Sequence, residues 1–182
     1  MNALTSLPSA IIETSAARIL LAKPKARFSL RARGDLAPFE AALGLSLGGP
    51  LGTRASAGSR ETIRLGPDEW MLHCTPSDAA AIEDACAALY GAHPHSLVSA
   101  SAREVTVVIE GPRAAELLTI GCPRDIAKIE PGSGRRTVFD GVTVILWRDG
   151  IDSFRMDVWN SFAPHLIDLL KIGARELAAE AA

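Results

Sequence analysis

Four places in this chain hold residue types that could do chemistry. The first is "ELLTIGCPRDI" (116–126), where Cys122 follows an apolar run that ends in a glycine. A nucleophilic or redox cysteine must be a thiolate, which needs a cationic neighbour, a helix N-terminus or a metal. Cys122 instead follows the C-terminal end of a helical run, where the negative end of the dipole raises a thiol pKa. Gly121 as a left-handed residue, with Pro123 soon after, predicts a helix stop. Cys122 is therefore read as a buried structural thiol.

The second place is His73-Cys74 with His93 and His95. Their spacing lacks the paired intervals of zinc sites, and adjacent strand residues such as His73 and Cys74 point to opposite faces. The third, "GGPLGTRASAGS" (48–59), is glycine-rich but lacks the Gly-Lys-Ser/Thr ending of a phosphate loop, and is expected to be the most mobile segment. The fourth is the adjacent acids Asp68-Glu69, placed at a turn and expected to be solvated. No Gly-x-Ser-x-Gly occurs. No catalytic residue, cofactor-binding residue or metal ligand is expected in this chain.

The tryptophans carry more information. Trp70 and Trp147 fall inside strand patterns and are expected in the core. In "SFRMDVW" (153–159), Phe154, Met156 and Val158 share one face by period-2 alternation. Trp159 falls on the other face with Arg155 and Asp157, and Phe162 is expected to begin the apolar stripe of the next helix. Aromatic and arginine residues on a polar face are the composition of a protein interface. Arg155, Trp159 and Phe162 are the candidate partner-interface residues.

The positioning elements read as follows. Strands are expected over 27–34, twice within 61–74 around Gly66-Pro67-Asp68, over 104–111, twice within 135–148 around Asp140-Gly141, and over 153–159. Helices are expected over 35–44, 75–91, 112–121 and 160–180. Strand-helix-strand-strand-helix thus occurs twice, which predicts an α+β fold of duplicated ferredoxin-like (split β-α-β) halves with antiparallel sheets. The expected layout is an N-terminal arm (1–17) and one α+β domain (18–182) with halves at about 18–98 and 99–182.

Composition narrows the class. The 182 residues carry 19 basic and 21 acidic side chains, a net charge of −2, and so show no basic excess for nucleic acid or an anionic membrane. The N-terminus reads poorly as a signal peptide, and no apolar run reaches the length of a membrane span. Three cysteines without a CxxC fit a reducing, cytoplasmic setting.

Five stretches then agree with one family: "RLGPDEWML" (64–72), "GCPRDI" (121–126), "PGSGRRT" (131–137), "VILWR" (144–148) and "FRMDVWNSFAPHLIDLL" (154–170). In this order they resemble the gamma subunit of heterotetrameric sarcosine oxidase, over about residues 60–172. The resemblance implies a fold similar to the folate-binding aminomethyltransferase of the glycine cleavage system. It also implies alpha, beta and delta partner subunits, with FAD, FMN, NAD and tetrahydrofolate bound by partners, and a non-catalytic role in converting sarcosine to glycine. Where family members often read Asp-x-Ser-His-Arg, this chain reads "SASAR" (99–103), keeping Ser101 and Arg103 but not the acid or the histidine. Two other classes of function compete: a free-standing folate-dependent aminomethyltransferase-like enzyme, and a regulatory module that binds a small molecule.

Overall fold

Asp140 and Gly141 take positive φ angles of 47° and 78°, the backbone of a tight two-residue hairpin that only such residues enter readily. The computed structural model describes residues 9–180. Its strands are β1 (Ser9–Glu13), β2 (Arg18–Leu21), β3 (Ala26–Arg31), β4 (Arg54–Ala57), β5 (Arg60–Gly66), β6 (Glu69–Cys74), β7 (Ser96–Ser99), β8 (Glu104–Glu110), β9 (Gly134–Phe139), β10 (Val142–Arg148) and β11 (Ser153–Trp159). Its α-helices are α1 (Ala37–Leu43), α2 (Ala79–Leu89), α3 (Ala114–Leu118) and α4 (Ala163–Glu180). The elements form two units, Lys25–Ala102 and a second that combines Met1–Pro24 with Arg103–Ala182.

In the first unit the antiparallel strand order is β4-β5-β6-β3-β7. Phe28, Leu30, Trp70 and Leu72 alternate onto one face and bury against Phe39 and Leu43 of α1 and Ile82 and Cys86 of α2. The spacing of those helical residues gives each helix the single apolar stripe it needs. Trp70 is 1% exposed, and its indole N–H donates to the Leu47 carbonyl at 2.9 Å, so the polar end of the largest core residue is satisfied.

In the second unit the order is β1-β2-β8-β11-β10-β9, again antiparallel. Val107, Ile109, Val144, Leu146, Phe154, Met156 and Val158 form one apolar face that shares a core with Leu117, Leu118, Leu166 and Leu170. Both units are split β-α-β arrangements: the strand before the first helix lies between the last strand of the hairpin and a further strand.

The boundaries differ from the expected halves. Residues 1–8 of the expected arm lie outside the described residues, but β1 and β2 are strands, and β2 pairs with β8 from Arg18↔Glu110 to Leu21↔Val107. The N-terminal segment therefore belongs with the C-terminal half, not the N-terminal one. The glycine-rich stretch holds β4, which pairs with β5, and the Arg64 guanidinium donates to the Gly49 carbonyl.

Gly121 also departs from its expected role. Its φ is not positive; instead a Cβ there would lie 2.9 Å from the Phe139 ring and 3.1 Å from the Asp140 nitrogen. Glycine is needed at this helix end because Phe139, 1% exposed, packs onto its Cα.

Candidate partner interface

Trp159 ends β11 and is 47% exposed, as the alternation predicts, while Phe162 is 43% exposed and 6.4 Å away between ring centroids. Phe162 does not begin the buried stripe of α4. Ala163 does, followed by Leu166, Leu170, Gly173, Ala174 and Leu177. The chain turns between β11 and α4 with the Phe162 N–H donating to the Trp159 carbonyl at 2.9 Å, which leaves both rings on the outside of the turn.

The cation beside Trp159 is Arg103, not Arg155. The Arg103 guanidinium lies 5.1 Å from the indole centroid and donates to Glu104 Oε1 at 2.9 Å. Glu104 is the cross-strand partner of Trp159, and the Asn160 N–H donates to the Arg103 carbonyl at 2.8 Å. Register across β8 and β11 therefore assembles the group Arg103, Glu104, Trp159 and Phe162. Glu104 is 6% exposed, and its Oε2 is buried without a hydrogen-bond partner among the described residues.

Arg155 points elsewhere. Its guanidinium forks onto Asp149 at 2.6 and 3.0 Å and stacks 4.9 Å from the Trp147 ring. Its side chain is only 13% exposed, so of the three expected interface residues Arg155 is structural. Asp157, expected on a polar face, is buried: it accepts hydrogen bonds from the Thr106 hydroxyl and, at 2.6 Å, from the Trp147 indole.

The retained half of "SASAR" has two separate jobs. Ser101 Oγ accepts from the Arg27 N–H at 3.0 Å and fixes the start of β3, whereas Arg103 serves the Trp159 group. The signal for Arg103 was present in the sequence as a kept family residue. Its contact with Trp159 depends on strand register, which the sequence does not state.

The remaining reactive residue types are engaged structurally. Cys122 is 6% exposed, in a core with Leu118 and Phe139, and its Sγ lies 3.8 Å from the Thr137 hydroxyl. Cys122→Ser should accordingly lower stability by at most the ~0.5–3 kcal/mol typical of point changes. Thermal unfolding of the variant beside the parent reads the change, and a loss well above that range would contradict a role limited to packing. Burial pushes the thiols of Cys74 and Cys86 up, away from thiolate chemistry. His73 faces away from the core that holds Cys74, beside Glu61 at 3.5 Å, while His95 sits edge-on to Phe39 at 4.9 Å. Among the described residues no group of three or more His, Cys, Asp or Glu side chains could hold a metal. Asp68 and Glu69 are ion-paired rather than solvated: Arg33 reaches Asp68 at 2.7 Å and Arg31 reaches Glu69 at 3.1 Å. The Arg33 hydrogen bond holds the Asp68 carboxyl below the usual carboxylate range, the opposite of a poised general acid. Among the described residues no helix is long and apolar enough to cross a membrane.

No family model matches the chain. It is 32% identical over 146 residues to the sarcosine oxidase subunit gamma of Corynebacterium sp. strain U-96, covering 79% of this chain and 70% of that protein. It is 30% identical to the Arthrobacter sp. sarcosine oxidase subunit gamma, covering 79% and 71% respectively. A chain of the heterotetrameric sarcosine oxidase from Corynebacterium sp. U-96, solved in complex with pyrrole 2-carboxylate, superposes with a TM-score of 0.80 at 26% identity, over 93% of this chain and 89% of that one. Aminomethyltransferase T of the glycine cleavage system from Bartonella henselae shares the fold, with a TM-score of 0.66 at 16% identity, over 86% of this chain and 46% of that one. The five ordered motifs, the duplicated split β-α-β architecture and identity of this extent place the chain in the sarcosine oxidase gamma subunit family.

Proposed function

We propose that this chain is the gamma subunit of a cytoplasmic heterotetrameric sarcosine oxidase, acting as a non-catalytic assembly subunit beside alpha, beta and delta subunits. The complex would convert sarcosine, oxygen and tetrahydrofolate to glycine, hydrogen peroxide and methylene-tetrahydrofolate. FAD, FMN, NAD and tetrahydrofolate would be held by the partners. The observation that carries this reading is the match along nearly the whole chain to a chain of the heterotetrameric enzyme.

Trp159 and Phe162, with Arg103 stacked on the indole, form the docking group for a large subunit. Exposed aromatics beside an arginine supply area and a cation where interfaces concentrate their energy. The unpaired Glu104 Oε2 marks the same corner as incomplete in the free chain, since a buried carboxylate oxygen without a donor is destabilising.

The test is purification of the chain alone and with its co-expressed partners. The chain alone should be colourless, should not bind folate in a titration, and should form no peroxide from sarcosine; with partners it should co-purify in an active, flavin-coloured complex. A stoichiometric flavin peak, folate binding or turnover by the chain alone would favour a free-standing enzyme instead.

A further inference from the structure

The two sheets match strand for strand through five positions. β9, β10, β11, β8 and β2 of one unit correspond to β4, β5, β6, β3 and β7 of the other. In the longer sheet a sixth strand follows: β1 pairs antiparallel with the outer edge of β2, from Ser9↔Leu21 to Glu13↔Arg18. In the shorter sheet no strand pairs with the corresponding edge of β7 among the described residues.

The β7 edge is open to pairing in a way that the other three edges are not. The edge strand β1 carries a register shift between Ala10 and Ile12, β4 carries Arg54, and β9 carries Arg135 and Arg136. Bulges and charges of this kind block edge-to-edge pairing. β7 reads Ser-Leu-Val-Ser, with no charge, proline or bulge, and Val98 is 51% exposed.

Hydrogen bonding fixes which groups are available. The Ala100 N–H donates to the Arg27 carbonyl at 2.8 Å, toward β3. Backbone groups alternate sides along a strand, so Val98 and Ser96 also face β3, and the N–H and C=O of Leu97 and Ser99 face outward. Beside this edge, on the helix side, lies a groove of about 610 Å³ lined by Cys86, Ala87, Tyr90, His95 and Leu97, with Glu83 as its charged side chain. Tyr90, 59% exposed, stands edge-on to His95 at 5.6 Å and walls the groove.

We propose that β7 is a strand-addition site that accepts an extended segment of a partner polypeptide in the assembled complex, in the position β1 fills beside β2. The outward groups of Leu97 and Ser99 would pair with the segment's backbone. Its alternate residues would fall on the Tyr90–His95 groove and beside Val98, as strand addition requires. Glu83 selects a segment with a basic residue two positions from the apolar one that enters the groove, on the same face of the added strand. This inference rests on the reading of the chain as a complex subunit.

Hydrogen exchange of the full chain, free and in the complex purified with its co-expressed partners, tests it. The Leu97 and Ser99 amides should exchange rapidly in the free chain and at least ~10-fold more slowly in the complex. Val98→Lys and Ser99→Pro should each weaken co-purification at least ~10-fold, because one adds an edge charge and the other removes an outward donor. Both variants, free, should keep the parent's thermal midpoint within a few degrees. Should they unfold, Glu83→Lys on the exposed helix surface is expected to weaken co-purification instead. If the parent assembles but both amides exchange as in the free chain, the edge assignment falls while the subunit reading stands; if no partner is retained at all, both fall. Concentration-dependent protection in the free chain, with a dimer in sedimentation, would assign the edge to a second copy and overturn the proposal.

Discussion

Trp159→Ala is expected to weaken association with the partner subunits ~30-fold or more, about 2 kcal/mol at 1.4 kcal/mol per tenfold change. The indole is half-exposed at the end of β11, with Phe162 on one side and the Arg103 guanidinium on its face. In the free chain such a ring contributes little to the core, so the variant's thermal midpoint should stay within a few degrees of the parent. Docking would bury the ring, and loss of that area, together with the stacked cation, falls on the complex alone. Arg103→Ala should give a smaller loss in the same assay, since it removes the cation but leaves both rings. The measurement is partner affinity by titration beside thermal unfolding of the free chain. A badly destabilised free variant with unchanged partner affinity would mean that Trp159 serves the core and that docking occurs elsewhere.

The second large effect is on stability. Asp157 is 2% exposed on the sheet face opposite the helices and accepts from both the Trp147 indole and the Thr106 hydroxyl. Asp157→Ala leaves two buried donors without this acceptor, and each such group costs about 1–3 kcal/mol. We expect a loss of ~3 kcal/mol or more, which lowers the midpoint of a chain of this size by roughly 6–12 °C. Asp157→Asn should fall between the parent and the alanine variant, because its carbonyl can accept one of the two bonds while its amide cannot accept the other. Thermal unfolding followed by tryptophan fluorescence reads the change. A midpoint within 2 °C of the parent in Asp157→Ala would show that the network is dispensable.

Local pattern determined much of this protein. The alternation of Phe154, Met156 and Val158 set the inward face of β11, and Asp140-Gly141 fixed a hairpin because few other residue pairs reach its φ angles. The helical stripes named Phe39, Leu43, Ile82, Cys86, Leu166 and Leu170 as core, and all are buried. The ordered motifs carried the family.

What tertiary structure alone decided is non-local. β2 and β7 are four-residue strands too short for a periodic signal, and β2 exists by pairing with β8, more than 80 residues later. That pairing moved the N-terminal segment into the C-terminal unit. Period-2 reading gave the face of Trp159 but not its neighbour: the Trp159↔Glu104 register brought Arg103 to the indole, while Asp149 and Trp147 drew Arg155 away. Gly121 looked like a backbone requirement and proved a packing one, set by Phe139 eighteen residues on. Side-chain type and spacing encode which face a residue takes; which residue lies across from it is set by pairing between distant strands, and the local pattern holds no record of that.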